Sequence, residues 1–329
     1  MAGVLVVGEL NGDALQSITG ELLAAGRGIG DASGEEVAVV LLNGSEAAGQ
    51  AAIALGADKA YLAQDDVLAD LQLDAQVAAL AMVCNEAQPS VVLVGRTLSG
   101  RDVGPRLAFR LGVGLAQDCL EVEADGDSGK VVAVRPVYGG NALAKVTFPD
   151  ASPQMVVLRA KAYEPLDADD SRTGEIVVVN TNLDPSVVKA RLVETVRQES
   201  EGVRLEDANV VIGGGRGLGG PEPFDQLEDL AGLLGGAVGA SRAVCDAGWL
   251  DHSYQVGLTG KTITPDLYIT VGISGASQHM AGCSASKNIV AINRDEDANI
   301  FKSASFGVVG DWKNVLPSFI ETVRELVDS

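Results

Sequence analysis

Four short segments and two single residues in the second half of the chain are of types suited to a flat, anionic cofactor. Gly272-Ile273-Ser274-Gly275-Ala276-Ser277-Gln278-His279 follows the apolar run LYITV directly. A strand running into a Gly/Ser turn and a helix N-terminus offers backbone N–H groups to an anion. Gly275 would let a phosphate come close to that backbone. His279 is one of only two histidines, and a lone histidine is more often a structural group than a ligand. Gly215-x-Gly217-x-x-Gly220 stands between a strand pattern and a helix pattern and matches the dinucleotide fingerprint. The acidic partner expected about 20 residues on is missing, and Ser241-Arg242 stands there. An arginine at that place can receive a 2′-phosphate, so an NADP-dependent oxidoreductase is the alternative of another class. The bland reading of these glycines is a turn in a glycine-rich chain. Gly257-Leu258-Thr259-Gly260-Lys261-Thr262 is similar to the end of a phosphate-binding loop, but Gln255 stands where a glycine is needed. No strand is predicted before it, and Pro265 blocks a clean helix start, so triphosphate chemistry is rejected. Asn293 and Asp311 each close a later strand pattern. All of these lie at strand ends of one domain, which points to one extended ligand across the top of a sheet. No nucleophile, general base or metal-ligand set accompanies them.

The elements that must position these residues follow from periodicity. Val4–Gly8, Val37–Leu42, Lys59–Ala63 and Ser90–Gly95 are apolar, β-branched runs. Helical spacing over Asp13–Gly28, Glu46–Leu55, Leu73–Ala87 and Val103–Leu111 separates or follows them. Such alternation predicts a parallel sheet covered on both faces. Lys130–Val137 and Asn141–Phe148 flank Tyr138-Gly139-Gly140 and read as a hairpin. Gln154–Arg159 and Glu175–Asn180 are further strands, giving a mostly parallel sheet with an antiparallel extension. Residues 186–200 read as a charged helix. The βα pattern then restarts, with strands at Asn209–Gly213, Ala237–Ala240, Leu267–Gly272, Asn288–Asn293 and Phe306–Gly310. Helices are predicted at Phe224–Gly235 and Trp312–Val327. The class is therefore α/β with two domains, 1–200 and 201–329, the second doubly wound and Rossmann-like.

Composition bounds the function. The chain has 329 residues and a formal net charge of −21. Phosphate neutralisation needs clustered Lys and Arg, so a broad nucleic-acid surface is disfavoured. No apolar run reaches the roughly 20 residues of a membrane span. The start, MAGVLVVGEL, has no basic n-region or cleavage site. Four cysteines stand far apart without a CxxC. A disulfide framework or zinc site is not expected, and a reducing cytoplasm is.

The stretch from VGASRAVCDAGWL through YQVGLTGKTITPDLYITVGISGASQHMAGCSASKNIVAINRDEDANIFKSASFGVVGDW closely resembles the α subunit of electron transfer flavoproteins. GRTLSGRDVGPRLAFRLGVGL in the first domain fits as well, so the resemblance covers essentially the whole chain. It implies one FAD in the second domain and an obligate β subunit, which carries AMP or a second FAD. It further implies electrons taken from flavin dehydrogenases, such as acyl-CoA dehydrogenases, and passed on to an acceptor such as a quinone oxidoreductase. Carried over, the expected FAD contacts are Arg216, Ser241, Arg242, Val256, Gly257, Leu258, Thr259, Ser274, Gly275, Ala276, Ser277, Gln278, His279, Asn293, Asp311 and Trp312. Arg242 is expected beside the flavin ring, Thr259 at its edge, His279 donating toward the C2 carbonyl, and the Ser274–Gln278 turn on the pyrophosphate. Reduced flavin carries negative charge near N1 and C2, which a guanidinium, an imidazole donor and a helix N-terminus stabilise. The family usually has Gln where Leu258 stands. The first domain is expected to serve as scaffold and β-subunit contact.

Overall fold

The structure, a computed structural model, describes residues 2–69, 72–125, 130–138, 142–148, 151–190, 193 and 203–327. The chain divides into two compact units, Met1–Thr195 and Val196–Ser329.

The first unit runs β1 (Ala2–Val7), β2 (Leu10–Asn11), β3 (Ala14–Leu15), α1 (Ser17–Ser33), β4 (Glu36–Leu42), α2 (Glu46–Ala54), β5 (Lys59–Gln64), α3 (Leu73–Ala87), β6 (Val91–Gly95) and α4 (Gly100–Leu111). It continues with β7 (Leu115–Cys119), β8 (Glu121–Ala124), β9 (Val131–Val137), β10 (Ala142–Thr147), β11 (Gln154–Leu158) and β12 (Glu175–Asn180). Seven strands form one parallel sheet in the order β12-β5-β4-β1-β6-β11-β7. The apolar runs are unbroken because both faces are covered. Along β1, Val4 and Val6 join one core while Leu5 and Val7 join the core on the opposite face. Each such buried side chain contributes roughly 1.5–3 kcal/mol. The antiparallel strands form a separate three-stranded sheet, β10-β9-β8, inserted between β7 and β11. The turn of the predicted hairpin, Gly139-Gly140, lies outside the described residues, but its two arms pair.

One sequence expectation shifts. The first helix starts at Ser17 rather than Asp13, because β2 and β3 pair antiparallel across Gly12 and Asp13. Gly12 supplies a positive φ of 62° for that turn. The helix predicted over 186–200 and the boundary near 200 fall mostly outside the described residues; Pro185–Val187 forms a short 3-10 turn.

Glu21 on α1 is buried, and its carboxylate accepts the backbone N–H of Lys161. Burial pushes its pKa up from 4.5 to about 7, against the pull of that N–H and of the Lys161 charge. The folded form therefore holds this proton more tightly than the unfolded one, and stability falls as pH rises from 4.5 through about 7. Glu21→Gln removes the dependence. Its thermal midpoint should exceed wild type at about pH 8 and approach it at about pH 5. Parallel pH profiles would show that Glu21 is ionised in both states.

The second unit runs β13 (Val210–Gly214), α5 (Phe224–Leu233), β14 (Ala237–Ser241), α6 (Arg242–Asp246), β15 (Gln255–Val256), β16 (Leu267–Val271), α7 (Ser277–Met280), β17 (Asn288–Asn293), β18 (Phe306–Val309) and α8 (Trp312–Val327). Its sheet is parallel throughout, in the order β15-β14-β13-β16-β17-β18. The order reverses between β13 and β16, which is the topological switch point where α/β sheets bind ligands. Phe224, Leu227 and Leu230 of α5 and Leu316 and Ile320 of α8 share one core. Tyr268 of β16 stands in a second core, fully buried. No helix among the described residues is long and apolar enough to cross a membrane.

Candidate functional site

The carboxyl ends of β13, β14, β15, β16 and β17 open onto a cleft of about 750 Å³. Of the expected contacts, Arg216, Ser241, Arg242, Val256, Gly257, Leu258, Thr259, Ser274, Ala276, Gln278, His279 and Asn293 line it. Gly275, Ser277, Asp311 and Trp312 do not. The Asp311 carboxylate accepts the N–H of Lys313, capping α8, and Trp312 packs against the core beneath. Arg294, three further residues of α6 and β15 (Ala243, Asp246 and Gln255) and Gly272 also form its wall. Asp246 was legible as the i+4 neighbour of Arg242 only once a helix was placed there.

Glycines set the close packing under the cleft. The N–H of Gly215 bonds the carbonyl of Val271 at 2.9 Å, and that of Gly217 bonds Gly272 at 3.1 Å. A Cβ on Gly215 would collide with the Gly272 carbonyl. These two N–H groups hold the turns after β13 and β16 together, so they are not available to cradle a phosphate as an NADP fingerprint requires. The 215–220 segment is a turn-packing device. The phosphate-loop-like segment is preceded by a strand after all, the two-residue β15, but no helix follows it.

The turn after β16 is braced from two sides. Asn293 donates its side-chain N–H to the Ile273 carbonyl at 2.8 Å, and Ile300 N–H reaches the Ser274 carbonyl at 3.1 Å. Gly275 has a φ of 76°, and a Cβ there would run into the backbone of Ile300. The fold by itself thus requires glycine here. Gly275→Val should destabilise the unit by at least about 2 kcal/mol, visible as a lowered thermal midpoint. A variant with wild-type stability would contradict this packing. The expected helix N-terminus is also modest, since α7 is four residues long.

His279 is buried, 7% exposed, at the cleft wall. Its Nε2 lies 2.9 Å from the Tyr268 hydroxyl. Burial pushes the imidazole down from 6.5 to about 4, with the Val256 carbonyl beside it opposing the shift. Burial raises the Tyr268 phenol well above its usual value. Tyr268 therefore keeps its proton, and in the tautomer protonated on Nδ1 it donates to Nε2. Among the described residues no group completes a hydrogen bond with Nδ1. Nδ1 is itself buried, with the Val256 carbonyl as the polar group beside the ring. His279 is a neutral donor here, not the cation that anion stabilisation by charge would use.

Arg242 opens α6 with its side chain 66% exposed, and its Nε bonds Asp246 at 3.2 Å. The Asp246 carboxylate on the same wall offsets part of its charge. Leu258 is 68% exposed, an apolar side chain at the cleft mouth. Among the described residues no cluster of His, Cys, Asp and Glu could hold a metal ion.

A doubly wound unit with glycine-packed turns and a polar cleft at its switch point is the arrangement in which α/β proteins bind ligands. Residues 4–184 match the family model described as the electron transfer flavoprotein domain, and residues 204–284 match the electron transfer flavoprotein FAD-binding domain. The chain is similar to the electron transfer flavoprotein subunit alpha of Megasphaera elsdenii, 41% identical over 326 residues, covering 98% of this chain and 96% of the relative. The Bacillus subtilis subunit alpha is 40% identical, covering 98% of each chain. Protein FixB of Azotobacter vinelandii is 37% identical, covering 93% of this chain and 87% of that one. The chain belongs to the electron transfer flavoprotein α-subunit family.

Proposed function

We propose that this chain carries one FAD in the cleft of its second unit and works as the α half of a heterodimer. The observation that carries the reading is the cleft at the switch point itself, lined by Arg216, Arg242, Thr259 and His279. The donor set fits a flavin nucleotide. Arg216 supplies a cation beside the turn after β16, and the Ser274–Gln278 turn supplies polar backbone for a diphosphate. Arg242, Thr259 and His279 supply donors for the electron-rich edge of a flavin ring. When bound, FAD supplies the electron-accepting and electron-releasing chemistry. The protein binds it, orients it and holds protons at Thr259 Oγ1 and His279 Nδ1.

The β partner is expected to carry AMP or a second FAD. Flavin dehydrogenases such as acyl-CoA dehydrogenases would act as donors and a quinone oxidoreductase as acceptor, in the cytoplasm. The exposed Phe306, Val308 and Val309 on edge strand β18 support a partner that covers them. Expressed alone, the chain should hold FAD poorly or aggregate; a monodisperse, fully flavinylated single chain would count against the partner.

The test of function is electron flow. The co-expressed heterodimer is mixed with an acyl-CoA dehydrogenase and its reduced-side substrate, and flavin absorbance is followed. Bleaching that needs the dehydrogenase is expected. Direct hydride uptake from NADPH, without any partner protein, would favour the NADP alternative instead.

A further inference from the structure

Gln255 stands where a phosphate-binding loop would need glycine, and its side chain has a task of its own. It is 4% exposed and lines the cleft. Its Nε2–H donates to Thr259 Oγ1 at 2.9 Å. On the other side, Oε1 lies 3.0 Å from Nδ1 of His252. His252 begins a 3-10 turn fixed by the Asp251 carboxylate, which accepts the Ser253 N–H at 2.8 Å. The Gln255 backbone is held in β15, and its carbonyl receives the Lys261 N–H at 2.7 Å.

We propose that Gln255 is a positioning residue that holds the Thr259 hydroxyl as a hydrogen-bond donor into the cleft, and that His252 fixes the direction of the Gln255 amide. An amide has a donor end and an acceptor end, and the two can exchange places by a flip. When His252 carries its proton on Nδ1, Oε1 accepts it and only Nε2 is left for Thr259. The threonine oxygen then accepts, and its own proton points elsewhere. Among the described residues nothing takes that proton. In the flipped arrangement the carboxamide oxygen would accept the threonine proton, and the cleft would face a lone pair. An electron-rich ring edge favours the first arrangement and disfavours the second. His252, exposed and outside the cleft wall, thereby influences a hydroxyl seven residues away through one amide.

This inference rests on the reading that FAD occupies the cleft. The experiment uses the heterodimer with wild type, Gln255→Met, Thr259→Ala, the double variant and His252→Phe. Two quantities are read: FAD per heterodimer and the one-electron midpoint potential of the bound flavin. Thr259→Ala and Gln255→Met should each disfavour the reduced form about twofold to tenfold, roughly 18–59 mV less positive at 59 mV per tenfold. The double variant should shift no further than the larger single one, because both act on one donor. His252→Phe should shift the same way by less, with FAD retained. Flavin-loaded Gln255→Met or His252→Phe at the wild-type potential would overturn the proposal, as would additive shifts. If Gln255→Met fails to fold, His252→Phe decides, since its side chain is exposed. Wild-type heterodimer without flavin would remove the FAD reading and this inference with it; a flavin-loaded protein without coupling would remove the inference alone.

Discussion

Replacing Tyr268 by Phe should lower the thermal midpoint of the second unit by several degrees and release the tautomer of His279. The two rings have the same shape, so packing in the fully buried site survives. What is lost is the 2.9 Å hydrogen bond to Nε2. A buried acceptor is left without a partner, which costs about 1–3 kcal/mol. No water replaces it easily, because Tyr268 lies among Val211, Val256, Ile289 and Ala291. The second effect is chemical. With Nε2 free, the proton can sit on either nitrogen, and the Nδ1–H donor at the cleft wall is no longer guaranteed. Nitrogen NMR of labelled histidine reads this directly: one Nδ1–H form in wild type, a mixture in Tyr268→Phe. Wild-type stability together with an unchanged tautomer would mean that the pair does not set the state of His279. The depressed imidazole pKa adds a pH signature. The unfolded ring binds a proton near 6.5 and the folded ring only near 4, so stability is full above 6.5 and is lost as pH falls toward 4.

Arg242→Ala should make the bound flavin harder to reduce. The guanidinium lines the cleft and favours negative charge on whatever lies there. A charge-assisted hydrogen bond in a dry site is worth about 1.5–3 kcal/mol, and an exposed ion pair about 0.2–1 kcal/mol. Arg242 stands between these limits, being two-thirds exposed and paired with Asp246. A loss of about 1–1.5 kcal/mol follows, roughly 43–65 mV less positive for a one-electron couple. Asp246→Asn should move the potential the opposite way, since it removes the offsetting carboxylate. Potentiometry of the loaded heterodimer checks both signs. Equal potentials for wild type and Arg242→Ala would place the guanidinium out of reach of the ring.

Much of this architecture is legible in the chain, for identifiable reasons. α3 and α8 begin and end where their apolar spacing does, and β17 is bounded by Asn288 and Asn293. Unbroken β-branched runs revealed a parallel sheet because nothing else buries both faces of a strand. The start of α1 was misplaced because β2 and β3 are two residues each, too short to leave an alternating pattern. β7 and β8 escaped for a related reason: Asp118 and Glu121 interrupt the apolar run, and Asp118 is held by the guanidinium of Arg159 at 2.6 Å, a contact 41 residues distant.

The cleft was less legible than the sheet. Strand-end glycines pointed to the right edge, but spacing cannot say whether a glycine serves a ligand or a neighbouring turn. Gly215 and Gly217 face Gly272, and Gly275 faces Ile300. The same limit hid the partners of His279 and Arg242. Tyr268 lies eleven residues before His279, and the contact exists only because β16 and α7 fold back on one another.

The most direct measurement of the account is the FAD content of the co-purified heterodimer, wild type against Ala276→Trp. Ala276 is exposed on the cleft wall between Ser274 and Gln278, so an indole there fills the cleft without entering the core. Wild type should carry one FAD attributable to this chain. Ala276→Trp should lower the content by one per heterodimer while far-UV circular dichroism stays the same. Wild type without flavin, or Ala276→Trp with undiminished flavin, would contradict FAD binding in this cleft.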